Sequence, residues 1–251
     1  MTTAQEIIAL LESMKDECQA ATLMRFFKTG KGQYGEGDSF LGLKVPQTRM
    51  VVNAARLDVD LTDIGKLLYS QWHEARLAGF LLLVEEMKAA LPSKRKKQDD
   101  GAERRDEIAA FYLRHARQAN NWDLVDLSCP KILGEWLLHP SSDGMLPDRS
   151  ILDSLVASDN LWERRIGIVT TWRLIKERQT DDALRLAAKL LSDSHDLIHK
   201  ATGWMLREVG KKDIDALTDF LEAHCHEMPR TALRYAIEKM DGRQRAYWLA
   251  R

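Results

Sequence analysis

Helical periodicity runs through nearly every segment of this chain, and the two-residue alternation of β-branched residues that marks strands is almost absent. A strand buries every second side chain and a helix buries a stripe repeating near 3.6, so a chain patterned this way has no sheet to build. The periodic segments predict fourteen helices, over 3–15, 17–29, 46–57, 61–69, 71–90, 103–119, 121–138, 148–157, 160–178, 180–191, 195–209, 212–225, 229–240 and 242–250. Several carry start signals. Pro46 follows Val45, Ser158-Asp159-Asn160 precedes an apolar-periodic run, and Pro229 follows Met228. The fold class is all-α.

The segments around Trp122, Trp162 and Trp204 begin at intervals of about 40 residues, close to the roughly 40–47 of HEAT-type helix pairs. That spacing predicts an α-solenoid of HEAT-like repeats, in which each pair is buried against its neighbours and a continuous concave groove collects residues from several repeats. With 251 residues, 45% hydrophobic and 30% charged, the chain supplies an ample core, and residues 1–251 are expected to form one domain. The formal charge of −1 is not that of a generally basic nucleic-acid binder, so any such function has to rest on segregated charge. Cys18, Cys129 and Cys225 are odd in number, scattered and without a C-x-x-C pair, which points to a reducing compartment rather than a disulfide framework. Cytoplasm is the default expectation, with nucleoid association in a bacterium. Met1-Thr2-Thr3-Ala4-Gln5-Glu6 shows no basic region leading into an apolar run, and no stretch approaches about 18 uninterrupted apolar residues, so neither export nor a membrane span is expected.

Two segments carry candidate chemistry. In Asn120-Asn121-Trp122-Asp123-Leu124-Val125-Asp126, Trp122 and Asp126 lie four apart and neighbour each other across one helical turn. An aromatic face beside a carboxylate suits a flat substrate, or one that becomes cationic as it reacts. The plainer reading is a core tryptophan and a solvated acid. Downstream, Lys200, Trp204, Arg207 and Lys211 fall on one stripe, while Ile198, Ala201, Met205 and Val209 fall far around the cylinder. An indole among three cations reads as nucleic-acid binding.

Two segments break the periodicity. Gly30-Lys31-Gly32-Gln33-Tyr34-Gly35-Glu36-Gly37-Asp38 contains G-x-G-x-x-G but follows a helical run and opens no helix, which rules out a dinucleotide site. It reads as a loop that either brings Tyr34 and a lysine to a cleft or sits inert on the surface. Ser93-Lys94-Arg95-Lys96-Lys97-Gln98-Asp99-Asp100-Gly101 is a basic insertion between helices, and a solvated charge run is the reading adopted. Other chemistries lack their residues. His195 and His199 share a face without the glutamate or third ligand of a zinc site, and no G-x-S-x-G elbow, Walker loop or kinase signature occurs. No metal and no cofactor is expected.

The chain resembles the AlkD-type DNA alkylation-repair glycosylases, which are built from HEAT-like repeats. The resemblance covers nearly the whole chain. It rests on Asp38-Ser39-Phe40-Leu41-Gly42-Leu43-Lys44-Val45-Pro46-Gln47-Thr48-Arg49, His73-Glu74-Ala75-Arg76, Asn121-Trp122-Asp123-Leu124-Val125-Asp126, Asn160-Leu161-Trp162-Glu163-Arg164-Arg165 and Gly203-Trp204-Met205-Leu206-Arg207-Glu208. It implies that Asp126 is the catalytic aspartate, that Trp122 and Trp204 face the sugar, and that Arg165 binds the DNA backbone. Lys200, Arg207 and Lys211 are further phosphate candidates, and Tyr34 is a possible contact that the family pattern does not align. The implied activity is that of a monofunctional DNA N-glycosylase acting on cationic 3-methyl and 7-methyl purines in duplex DNA, as a monomer and without a base-flipping pocket. The basic insertion at 93–101 and the Gly-rich 30–37 segment depart from the family pattern. The alternative is a catalytically silent HEAT-repeat scaffold that binds DNA, which has no need of Asp126 beside Trp122.

Overall fold

A computed structural model describes residues 1–92 and 101–251. The expectation for the basic run concerns residues outside these, apart from Gly101. The described residues form α1 (Ala4–Glu12), α2 (Glu17–Phe26), α3 (Val45–Ala55), α4 (Leu61–Leu68), α5 (His73–Ala90), α6 (Ala102–Arg114), α7 (Trp122–Trp136), α8 (Ser150–Val156), α9 (Leu161–Lys176), α10 (Asp181–Lys189), α11 (Asp196–Gly210), α12 (Ile214–His224), α13 (Arg230–Ala236) and α14 (Gly242–Ala250). Among the described residues there is no strand, and Ser39 and Trp72 form one isolated parallel bridge.

The helices start where side chains can take up their orphan N–H groups. Thr3 and Glu6 form a capping box on α1, Asp16, Asp60 and Asp213 cap α2, α4 and α12, and Asp241 with Gln244 closes the last helix. Three predicted helices stop early because the chain turns left-handed just beyond them, at Lys28 (φ 57°), Leu57 (φ 60°) and Arg178 (φ 61°). The predicted run 103–119 divides after Arg114, where the His115 ring bonds back to the Phe111 carbonyl at 2.8 Å and a short 3₁₀ turn spans Ala116–Gln118.

Every second helix stacks on the next in one layer. α3 packs on α5, α5 on α7, α7 on α9, α9 on α11 and α11 on α13, while α4, α6, α8, α10 and α12 back this row. This is the arrangement of a helical-repeat solenoid. Because α5 is covered from several sides it is apolar around most of its circumference, burying Leu77, Phe80, Leu81, Leu82, Leu83, Val84 and Met87. One apolar cluster runs from Ala4 to Val209 and a second from Ala187 to Trp248, with Leu184 packed against both. No described helix is long and apolar enough to cross a membrane.

Candidate functional site

α7, α9 and α11, neighbours in the stacked row, carry the candidate residues. Asn121 caps α7 by accepting from the Trp122 N–H at 2.9 Å, which places Trp122 in the first turn and Asp126 one turn later. Pro130, inside α7, has no N–H to offer the Asp126 carbonyl four residues before it. Asn160 caps α9 through the N–H groups of Trp162 and Glu163, placing Arg165 opposite Asp126. His195 caps α11 through the Leu197 N–H. The apolar stripe of α11, comprising Ile198, Ala201, Met205 and Val209, is buried, and Trp204 lies half-buried on the other side.

Tyr34, Trp122, Arg165, Lys200, Trp204 and Arg207 line one cleft of about 490 Å³, together with Phe26, Leu197 and Tyr235. The two tryptophans come together from helices that are not adjacent in sequence. Tyr34 reaches the cleft because the 30–38 loop folds back on the end of α2, where the Gly35 N–H donates to the Lys28 carbonyl at 3.1 Å, and its ring meets Trp162 of α9 edge-on at 6.2 Å. A Cβ at Gly35 would stand 2.5 Å from the Phe27 carbonyl oxygen, so only glycine lets the loop lie this close. Lys211 lies beyond this lining, on a neighbouring cavity with Arg207.

Asp126 and Arg165 are joined by a two-pronged ion pair. Arg165 Nε and Nη2 donate to the two carboxylate oxygens at 2.9 and 2.8 Å, and Nη1 donates to the Leu197 carbonyl at 2.7 Å. The carboxylate is largely covered, with 17% of its side chain exposed. Burial raises the Asp126 carboxyl above its ordinary value, while the charge and hydrogen bonds of Arg165 pull it back. The plainer expectation of a solvated acid does not describe this residue. Arg165, expected on the DNA backbone, has its fork occupied by Asp126.

The cations of the α11 stripe also have acid partners. Lys200 pairs with Asp196 at 2.8 Å, Lys211 with Glu208 at 2.5 Å, and Arg207 with Glu238. The Lys200–Asp196 pair is exposed on both sides, at 40% and 56%, and such a surface pair contributes only about 0–1 kcal/mol, whereas Lys211 pairs with a buried Glu208. A phosphate can therefore compete for Lys200 at small cost.

The pattern of the sequence did not reveal a second cluster behind Trp122. His73, at the start of α5, bonds Asp38 through Nδ1 at 2.7 Å and Asp123 through Nε2 at 2.9 Å, and Arg76 also pairs with Asp38. All four side chains are buried. Burial opposes charge on His73, but Asp123 and Asp38 outweigh it and raise the imidazole to about 9. Burial alone would raise Asp38, but its bonds to His73 and Arg76 bring it below its usual range. Buried Glu74 accepts from the N–H groups of Leu41, Gly42 and Leu43 at 2.8–3.0 Å and ties the 38–43 segment to α5.

Above this network the His73 ring stacks on Phe40 (4.3 Å), Phe40 on Phe27 (5.1 Å), and Phe27 on Trp122 (5.3 Å). A second, mainly apolar cavity of about 420 Å³ lies beside the stack, with Asp123 and Asp126 in its wall. Phe26 and Trp122 line both cavities, so the two adjoin across these rings. The quartets Asp38-Ser39-Phe40-Leu41 and His73-Glu74-Ala75-Arg76 were visible in the sequence, but nothing in their spacing says that they meet.

A family model described as DNA alkylation repair enzyme matches residues 7–240. The chain belongs to the DNA alkylation repair enzyme family. A solved structure described as "Predicted DNA alkylation repair enzyme from Enterococcus faecalis" is similar over 91% of this chain and 97% of that one, with a TM-score of 0.64 and 16% identity. At that identity the likeness speaks for the fold. No curated protein matches the chain.

Proposed function

We propose that this member of the family is a monofunctional DNA N-glycosylase that hydrolyses the bond between deoxyribose and a cationic 3-methyl or 7-methyl purine in duplex DNA, acting as a monomer. The observation that carries the reading is the meeting of Trp122 and Trp204 in one cleft, with Arg165 between that cleft and the Asp126 carboxylate. In the reaction the C1′–N bond breaks and its electron pair leaves with the base, which becomes neutral. The sugar becomes oxocarbenium-like, water adds at C1′, and a proton is lost. Asp126 offsets the developing charge and orients the water, while the indole faces of Trp122 and Trp204 favour the same cation. Arg165 fixes both carboxylate oxygens, so Asp126 is oriented before substrate arrives. Lys200, Arg207 and Lys211 hold phosphates, Arg165 keeps its fork on Asp126, and Tyr34 lines the same cleft. An alkylated purine is already a good leaving group, so the scheme asks for no Lewis acid.

The Asp126–Arg165 pair also favours a second reading, a DNA-binding scaffold in which Asp126 only anchors α9. Incubating the purified protein with methylated duplex DNA and detecting free bases by chromatography separates the two. Release of 3-methyladenine or 7-methylguanine is expected. Duplex binding with no released base would establish the scaffold.

A further inference from the structure

The proposed chemistry leaves unused the four charged side chains buried together behind Trp122, namely Asp38, His73, Arg76 and Asp123. Taking such groups out of water offsets much of what their attraction returns, so an ionic cluster is a weak device for stability alone. What sets this one apart is where its contacts lead. His73 Nε2 bonds Asp123 at 2.9 Å, and Asp123 is the chain neighbour of Trp122 in the first turn of α7. His73 Nδ1 bonds Asp38 at 2.7 Å, and Phe40, two residues further on, stacks on the imidazole at 4.3 Å and 20°. Phe27 completes the circuit, stacked on Phe40 at 18° and on Trp122 at 24°. His73 therefore reaches Trp122 by two routes, through the backbone of α7 and through a column of near-parallel rings. The first route holds the turn from which the indole projects, and the second holds the plane of its ring. Trp122 is half-buried and borders the cleft, and a functional side chain keeps its geometry only when packing and the hydrogen bonds behind it lock its rotamer.

We infer that His73 is a positioning residue for Trp122, fixing the plane that the indole presents to the cleft. The inference rests on the glycosylase reading for the rate it affects, and on the contacts alone for the geometry. A ring favours a developing cation through its face, so an indole free to rotate loses that alignment while still covering the same wall.

The test uses the full chain labelled with fluorinated tryptophan, in which the fluorine resonance missing from Trp122→Phe belongs to Trp122 and that missing from Trp248→Phe to Trp248. His73→Gln keeps an N–H donor but has no ring to stack. It is expected to shift the Trp122 resonance and to leave that of Trp248, in the C-terminal apolar cluster, where it stands. Single-turnover release of 7-methylguanine at saturating enzyme should fall on the order of 10–100-fold, the range for a misplaced reacting group, with duplex affinity unchanged. In a Trp122→Ala background the same change should cost almost nothing further, because residues that act as one unit are not additive. Phe40→Leu interrupts the rings without removing a charge, so it should move the same resonance and lower the rate, and it carries the test if His73→Gln does not fold. The inference is overturned if the Trp122 resonance stays in place in the folded variants, or if the rate falls by the same factor with and without the Trp122 indole, as a purely structural role would give. Wild-type protein that releases no base while the resonance moves overturns the glycosylase reading alone. Release of base with an unmoved resonance overturns the positioning role alone.

Discussion

Two opposed influences set the charge of Asp126, because burial favours its protonated form and Arg165 its ionised form. The net rise moves the acid limb of the excision rate to a less acidic pH than an ordinary carboxylate would give. Asp126→Asn should remove this limb and lower single-turnover release of 7-methylguanine on the order of 10²–10³-fold, the usual loss for a preorganised electrostatic group. It should also lower the melting temperature. Asn leaves Arg165 buried without a counter-charge, and breaking a buried pair from one side costs about 3–5 kcal/mol, less here because the amide oxygen still accepts one bond. A variant excising at the wild-type rate at every pH would return Asp126 to a purely structural role. His73 behaves with the opposite sign. Its folded value is raised from 6.5 to about 9, so its contribution to stability is complete below 6.5 and is lost as pH climbs through 9. Asp38, lowered from 3.8, contributes above that value and loses its contribution as pH falls below it. Melting temperatures across pH 3–10 should therefore show a plateau with a fall at each end, and His73→Leu should abolish the alkaline fall. If the wild-type curve is flat from pH 6 to 10, the imidazolium reading of His73 is wrong.

At the scale of elements, close approach of α11 and α13 holds Trp204 in place. A Cβ on Gly203 would stand 2.4 Å from the Ala232 carbonyl oxygen and 2.6 Å from Tyr235 Cβ, which is closer than atoms pack. Gly203→Ala should push the helices apart, costing about 1–3 kcal/mol, and should shift both Trp204 and Tyr235 in the cleft. Thermal unfolding and the excision rate should fall together, and an unchanged melting temperature would show that the gap is readily relieved. Helix order was legible in the sequence because each helix buries one face, and the caps at Asp16, Asp60, Asn160 and Asp241 mark the starts. Stops were less legible. Lys28, Leu57 and Arg178 are ordinary helix formers, yet each turns left-handed, which their residue types do not announce. Trp122 and Trp204 stood out by local spacing, and Arg165 was legible only through the family resemblance. The His73–Asp38–Asp123 bonds were not legible, since they join residues 35 and 50 positions apart. Phe26 and Tyr235, which complete the cleft, carry no local signal that separates them from packing residues.

At the scale of the whole molecule, a formal charge of −1 leaves little long-range attraction for DNA, so affinity has to come from the cations gathered along α11. Each phosphate neutralised on a duplex should contribute about −0.9 to the slope of log affinity against log salt. Lys200 is already paired with Asp196. The gain from a phosphate is reduced by breaking that pair, but the counterion released from DNA still counts in the slope. Lys200→Ala should therefore flatten the slope by about 0.9, with a smaller loss of affinity than an unpaired lysine would give. Arg165→Ala provides the contrast. Its fork is engaged by Asp126 and its third nitrogen by the Leu197 carbonyl, so excision should fall much further than affinity, and the slope should move less than for Lys200→Ala. Binding titrations at several salt concentrations, run beside single-turnover excision, measure both quantities for each variant. If Arg165→Ala flattens the slope as much as Lys200→Ala and leaves the chemical step untouched, Arg165 serves the backbone alone, and the orientation of Asp126 has to come from elsewhere in α7.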